Sequence, residues 1–530
     1  MPVYEITSFR GGLSDYEDKG IVGAFKFGSG LDIRKEVDSL SCLQALTDEG
    51  LVEGHSPSLS YSPSASISAS PSVSVSGSQS ASTGISASSS ATPSASVSGT
   101  PSTTPSPSAT PSSSASASIA LTSVFTGLIR FFVKGSDGYV YGFDNTGGIY
   151  RRDTDAFWQK VYTDPDGAIK GAEEKPSSSG KSYLVWTTNI KVKRKELPGL
   201  GDWSDVSTVA QNLSSQDWHT IRQVGGSAMI ANGSWLAMIG YDDSFTNEAL
   251  DLIPGNIVKT IVERAGRAVI GTMRSSDPTK GINAAIDTEV QLAQVGDDGD
   301  LYFADMNNSV PIKHFPGGGI VNPGGVTNEV DQVNFFDWEQ SALSWIDKQS
   351  VGNMSLWGVF NADAGRNGVF SYGRKNKNHP ITLNFDYPLD VSEIGALVTV
   401  EGITLISYRD GSDFGVKAVD PAAKATGTYE GLDFKAPVKK PIGITKWLTA
   451  ELFFAPLPSG ASIEFWYKLN KTGSFIRAYL ADGNTRFNTA NGKKAVFRIA
   501  EEGEIFEPRI VLNPTGNTSP EVYRIRTYFE

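Results

Sequence analysis

Along most of the chain, apolar residues fall in short β-rich runs separated by turn residues, and helical spacing is almost absent. Such runs include "LIRFFVKG" (Leu128 to Gly135), "YVYGFD" (Tyr139 to Asp144), "SYLVWTTNI" (Ser182 to Ile190), "SAMIANGSWLAMIGYD" (Ser227 to Asp242), "RAVIGTM" (Arg267 to Met273) and "ITLISYRD" (Ile403 to Asp410). Turn signals punctuate them at Ser136–Gly138, Asn145–Gly147, Asp164–Gly167, Leu197–Gly199, Asn232–Ser234, Asp297–Gly299 and Arg409–Gly411. Gly and Asn supply positive φ there, and Asp or Ser oxygens bond nearby backbone, so each signal predicts a reversal between strands. Only "NEALDLIPG" (Asn247 to Gly255) and "WEQSALSWIDKQS" (Trp338 to Ser350) hint at a turn or two of helix.

The runs group into six units, roughly 129–167, 168–212, 217–256, 257–326, 331–389 and 390–432, each opening on an apolar strand and closing on a polar loop. Units of about 40 to 70 residues match a four-stranded blade, whose faces are buried only by stacking on neighbours around an axis. The reading is an all-β, multi-bladed β-propeller-like domain over 119–432. From 433 to 530 strict alternation takes over in "ASIEFWYKL", "SFIRAYLA", "KAVFRIA", "EPRIVL" and "EVYRIRTYF", joined by short Gly-containing turns. That pattern predicts a C-terminal β-sandwich, with Ile463, Phe465 and Tyr467 toward the core and Glu464, Trp466 and Lys468 outward.

Before the propeller lies a different kind of chain. Between Gly54 and Ile129 there is no Asp, Glu, Lys or Arg, and serine occupies every even position from Ser62 to Ser82. A period of two also describes a half-buried strand, but Pro63, Pro71, Pro93, Pro101, Pro105, Pro107 and Pro111 would each remove a ladder donor. With so little apolar surface to bury, residues 54–118 read as a low-complexity Ser/Ala/Pro spacer, either solvated, O-glycosylated, or ordered against neighbouring subunits. It leaves residues 1–53 as a β-rich, glycine-hinged arm too small for its own core, expected to dock on the last blade or on another subunit.

Charge and chemistry narrow the function. The net charge of −12 argues against holding nucleic acid through phosphate neutralisation. One cysteine, Cys42, excludes an intrachain disulfide. The N-terminal "MPVYEITSFRGG" lacks the features of a signal peptide, and "IALTSVFTGLIRFFV" (Ile119 to Val133) is too short to cross a bilayer, so a soluble product with no membrane span is expected. His55, His219, His314 and His379 are scattered without metal-ligand spacing and are expected at the surface or in loops. "DDGD" (Asp297 to Asp300) lacks the rest of a calcium loop, and "PGGGIVNPGG" (Pro316 to Gly325) lacks the Lys-Ser/Thr of a phosphate loop. "DNTGGIYRR" and "DTDAFWQK" faintly resemble the structural Asp-box turns of sialidases. No nucleophile or carboxylate constellation stands out, so no enzyme activity, cofactor or metal is expected. Among the ten tryptophans, Trp466 is the candidate surface contact.

The arm carries a resemblance. "SFRGGLSDYEDKGIVGAFKFGSGLDIRKEVDSLSCLQAL" (Ser8 to Leu46) holds an F-x-G-G-L motif in Phe9, Gly11, Gly12 and Leu13, followed by L-D-I-R from Leu31 to Arg34. It resembles the opening of bacteriophage tail and connector-adjacent proteins, and "PSGASIEFWYKLN", "KKAVFRI" and "SPEVYRIRTYFE" are similar to the closing β-sandwich of that group. The resemblance implies a propeller-type structural protein of a virion tail (nozzle, tail tip or fibre), assembled in the host cytoplasm as a homo-oligomer against other tail or connector proteins. Viral DNA would pass it without binding. Within the arm, Phe9, Gly11, Gly12, Leu13, Phe25, Phe27, Leu31 and Ile33 are the candidate docking residues, together with Ile21. Two alternatives stand beside it: a fibre or adhesin that binds host-surface glycan through an exposed aromatic groove, and a propeller glycosidase with facing carboxylates in the channel.

Overall fold

The structure is a computed structural model, and it describes residues 2–13, 23–33, 38–53, 121–215, 219–252, 256–264, 267–274, 290–295, 301–305, 312–315, 349–351, 354–359, 367–373, 382–435 and 445–530. Every regular element among them is a β-strand. Three antiparallel four-stranded sheets follow in chain order. The first joins Ile129–Lys134, Val140–Asp144, Gly148–Arg152 and Trp158–Thr163. The second joins Gly171–Pro176, Ser182–Thr187, Val192–Glu196 and Ser207–Ala210, and the third Ile221–Val224, Ser227–Asn232, Trp235–Ile239 and Phe245–Asp251. A hairpin (Asn256–Arg264 with Arg267–Arg274) and a three-stranded sheet (Val290–Val295, Leu301–Asp305, Ile312–Phe315) come next. Two more four-stranded sheets complete the series: Gln349–Val351 through Thr382–Pro388, and Glu393–Val400, Ile403–Asp410 and Asp413–Lys424 with a fourth strand, Gln44–Glu49.

These sheets behave as propeller blades because, where their side chains are described, one buries a face on the next. Val133, Tyr141, Phe143 and Ile149 of the first pack on Ala172, Leu184 and Trp186 of the second. Val185 and Val192 meet Ile221, Ala228 and Ile230 of the third, and Ala231 and Leu236 meet Val258 and Ile261 beyond it. The ring closes where Ile129, Phe132, Tyr150 and Trp158 of the first blade pack on Ala396, Val398, Leu405 and Val416 of the last.

Local chemistry sets the reversals. Asp144 ends a strand with its buried carboxylate accepting from the Thr146 and Gly148 amides (2.8 and 2.6 Å) and the Tyr150 hydroxyl (2.9 Å). The "DNTGG" stretch is thus a structural turn, and its Gly147 sits at φ +100°. Six of the seven turn signals fall at the ends of described strands or in the loops next to them, and Asp297–Gly299 lies outside the described residues. The helical hint at 247–255 is overturned. Phe245–Asp251 is the outer strand of the third blade, paired with Trp235–Ile239, because a free ladder edge satisfies its backbone better than an isolated turn of helix. Most of the other hint, 338–348, lies outside the described residues.

The sandwich has two sheets. Val3–Ile6, Val522–Phe529, Thr445–Phe454 and Lys494–Gly503 form one. The other runs Gly12–Leu13, Ala24–Ser29, Gly427–Gly431, Ile505–Asn513, Ser462–Leu469 and Ile476–Arg477, with Phe434–Lys435 and Arg486–Phe487 attached. Two boundaries therefore move. Gly427–Gly431 belongs to the sandwich rather than to the propeller. Residues 1–53 are not a separate arm either, since Val3–Ile6, Gly12–Leu13 and Ala24–Ser29 are strands of the sandwich and Gln44–Glu49 is a strand of the last blade.

The spacer is entered and left at one place. The Gly50 carbonyl accepts from the Val124 amide (2.9 Å). Beyond them Leu51–Glu53 and Leu121–Ser123 form a two-stranded sheet. Residues 54–120 lie outside the described residues, and with them any test of glycosylation or order in the spacer.

Candidate functional site

The candidate docking residues are placed in this chain's own core. Phe9 and Phe25 both pack on buried Tyr429, with ring centroids 5.4 and 5.6 Å apart, and Leu13, Leu31 and Ile33 are buried with them. Phe27, half-buried, meets Phe385 of the fourth four-stranded sheet edge-on at 6.3 Å. Ile21 lies outside the described residues. The glycines of the F-x-G-G-L motif act by close approach. A side chain on Gly11 would come 2.1 Å from the Ala24 amide nitrogen, and Gly12 adopts φ +76° to start the strand that pairs in parallel with Ala24–Phe25. Phe9 is fixed further by its amide donating to Asp38 Oδ1 (2.8 Å).

Near the propeller axis, where the first strands of neighbouring blades meet, charges are bridged across the seams. Arg130 reaches Glu393 at 2.7 Å between first and last blades, and Arg409 holds the other oxygen at 2.8 Å. Burial pulls the Arg130 guanidinium below its usual range, opposed by Glu393. Arg222 meets Glu173 at 3.0 Å between the first strands of the second and third blades, while Lys175 meets Asp243, in the turn between Trp235–Ile239 and Phe245–Asp251 of the third blade, at 2.7 Å. Carboxylates held this way brace the ring and are poorly placed for proton transfer.

His219 corrects the expectation of surface histidines. It is fully buried between blades, with Nδ1 2.7 Å from the Ala231 carbonyl and Nε2 2.9 Å from that of Asn189. Desolvation lowers its pKa, against the opposing effect of those carbonyls. His314 lies on a strand, Ile312–Phe315, and not in a loop, while His55 and His379 lie outside the described residues. Asp297–Asp300 and Pro316–Gly325 lie outside them too. Among the described residues no group of three His, Cys, Asp or Glu is disposed to hold a metal, and no helix is long and apolar enough to cross a membrane.

The most chemically distinctive surface is the outer face of the larger sandwich sheet, around Trp466. Register places Glu430, Arg509, Trp466 and Arg477 in one cross-strand row. Arg477 lies over the Trp466 ring at 4.2 Å, and the indole N–H donates to Glu464 (3.1 Å). Glu464 also receives Arg486 Nε at 2.5 Å and faces Arg477 at 3.2 Å. In the next row Glu507 is shared by Lys26 (3.2 Å) and Lys468 (3.1 Å), and Phe475 lies beside Arg509 (3.6 Å) and Lys468 (5.0 Å). Burial would lower the Lys26 ammonium, but Asp433 and Glu507 outweigh it and hold its pKa above the usual value.

Ile463, Phe465 and Tyr467 are buried in the core. Alternation also puts Glu464, Trp466 and Lys468 on one outer face, but Glu464 is buried there, beneath the arginines of segment 470–490. Alternation fixes which face a residue takes, not what later chain covers it.

No family model matches the chain, and no curated protein matches it in sequence. Solved structures do resemble it. A virginiamycin B lyase from Staphylococcus aureus is 15% identical, covering 56% of this chain and 95% of its own, with a TM-score of 0.37. The β-propeller domain of Cps50 (Swd1) from Myceliophteria thermophila is 11% identical, over 55% and 98%, with a TM-score of 0.38. A structure described as YCF48 bound to D1 peptide is 12% identical, over 56% and 92%, with a TM-score of 0.36. The chain itself has an all-β, β-propeller-like fold, carried by its successive four-stranded sheets and the cores between them.

Proposed function

We propose that this chain is a structural component of a bacteriophage tail, of nozzle or tail-tip type, working in several copies against other tail or connector proteins. The observation that carries the reading is the union of the two segments bearing the resemblance. Leu40 pairs with Val522, each backbone amide bonding the other's carbonyl, and Ala24–Ser29 joins Ser462–Leu469 through Gly427–Gly431 and Ile505–Asn513. One sandwich is thereby built from both ends of the chain, and the same N-terminal segment supplies the outer strand of the last blade. This is the construction of a rigid part, and the bridged axial charges suit a wall better than a catalytic pocket. On this reading Phe9, Gly11, Gly12 and Leu13 set the internal frame, and contacts with other tail proteins use surfaces of the finished unit. The test is a density map of purified particles: a ring of blades with an attached sandwich in the tail supports the proposal, and absence of the chain from particles overturns it.

A second reading, host-surface glycan attachment, is favoured by the cationic and aromatic face around Trp466. Among the described residues, Glu173 and Glu393 are each engaged by arginine, which lends the glycosidase reading no support from them.

A further inference from the structure

We infer that two copies of this chain dock head to tail, one face of the propeller in the first meeting the outer face of the smaller sandwich sheet in the second. This rests on the part of the reading above in which several copies act together, and it names the surfaces they use.

In an antiparallel four-stranded blade the first and third turns lie at the same end, because each strand reverses the one before it. In each of the first three blades the third turn carries an exposed apolar side chain: Phe157, Leu200 and Tyr241, at 56, 47 and 51%. Hydrogen bonds join the turns from blade to blade, the Gly199 amide donating to Asp137 Oδ2 (3.1 Å) and the Ser178 amide to the Tyr241 carbonyl (2.8 Å). The result is one continuous surface with apolar tips that a partner would cover.

Charge on that surface has one sign. Its turns, 135–139, 153–157, 177–181, 197–206, 225–226 and 240–244, hold seven aspartates and one lysine. At the opposite end of the same blades, 145–147, 164–170, 188–191 and 233–234 hold two aspartates and two lysines. Lys195 and Lys175 engage Asp205 and Asp243. Asp202 and Asp242 instead accept from the Ser204 and Ser244 amides (3.0 and 3.1 Å) and stay exposed, as does Asp155, two residues before Phe157. Contact between two such faces would set aspartate against aspartate, so a second copy has to present a surface that is cationic as well as apolar.

The outer face of the smaller sandwich sheet is such a surface. Register aligns Val496, Glu451, Arg526 and Glu5 across its four strands. Arg498, Lys494 and Arg524 stand in the rows on either side, so four cations accompany two carboxylates. Lys494 engages Glu451 (2.6 Å), while Arg526 and Arg524 share Glu5 (2.7 and 3.4 Å). Lys494, Arg524 and Arg526 also lie over the Phe453 ring at 5.2 to 5.8 Å. Val3 and Val496, one on each edge strand, are 41 and 40% exposed. Opposite charge would orient the two faces, and the apolar side chains on both would supply the buried contact. A head-to-tail contact leaves one face free on each end copy, so further copies add to a ring or a row.

The test is sedimentation velocity of the full chain over a range of concentrations. The chain should associate reversibly, and less so as salt is raised. Leu200→Ser with Tyr241→Ser strips the propeller face, and Val496→Asp puts an acid on the sandwich face. Each variant should weaken association about tenfold or more, with an unchanged unfolding temperature because all three positions are exposed. Mixed together, the two variants should form a one-to-one complex and nothing larger, since each keeps one intact face. A chain that stays monomeric, association unmoved by either variant, or a mixture that fails to pair would each overturn the inference. None of these outcomes bears on whether the chain is present in purified particles, which the density map reads separately.

Discussion

Arg152 of the first blade grips Glu49 of the N-terminal segment with two hydrogen bonds of 2.7 Å, from Nε and Nη2 to the two carboxylate oxygens. The Trp158 indole donates to the same carboxylate at 2.9 Å. Glu49 ends the strand that completes the last blade, pairing opposite Val416. The seam between first and last blades is thus locked by a residue that precedes both in sequence.

Glu49→Ala should therefore strip a buried arginine of its partner and cost about 3 kcal/mol, the lower end for breaking a buried pair. Thermal unfolding followed by circular dichroism would read it as a clear fall in midpoint. Removing residues 1–53 should go further and abolish cooperative unfolding, because two sandwich sheets and a blade lose strands together. A truncated chain that melts like the full one would show that the closing strand is dispensable.

Shortening the spacer should have the opposite sign. Gly50 and Val124 already meet, so no distance has to be spanned. Replacing residues 54–118 by a linker of about eight Gly and Ser residues lowers the loop-closure entropy and should stabilise the fold by at most about 2 kcal/mol. A large loss of stability in that variant would show that the spacer makes contacts of its own.

Gly11→Ala places a methyl group against the Ala24 amide, where backbone cannot give way cheaply. The expected cost is about 1 to 3 kcal/mol, as for overpacking in a core, and denaturant titration would measure it. An Ala variant as stable as the parent would mean that the Gly11 and Gly23 loops shift freely.

His219 predicts a pH slope. Its folded pKa lies below the unfolded value of about 6.5, so the unfolded chain binds the proton more readily. Stability should be fully present above about pH 6.5 and decline as pH falls from there toward the lowered folded value. His219→Gln should flatten the slope in that window, whatever it does to absolute stability. An unchanged slope in the variant would assign the titration to other groups.

Much of the propeller could be read from the chain. Runs such as "YVYGFDNTGGIY" carry both the strands and the reversal between them, because alternation and turn chemistry are local and need no distant partner. The outward parity of Trp466 was readable for the same reason. Phe245–Asp251 was not, since a segment with mixed periodicity takes the structure of whatever edge is offered to it. Neither was the burial of Glu464, which depends on Arg477 and Arg486 arriving from a later loop.

Local pattern along the chain is enough to make this protein all-β, to divide its middle into blade-sized units, and to mark the charge-free Ser/Ala/Pro stretch that interrupts it. Those are consequences of composition and short-range period. That residues before the stretch belong to the last blade and the sandwich emerges from long-range pairing in the folded chain. A strand edge shows its hydrogen-bonding need in no particular letter, and its partner is chosen by the geometry of closing a ring and burying Phe9, Phe25 and Tyr429 together.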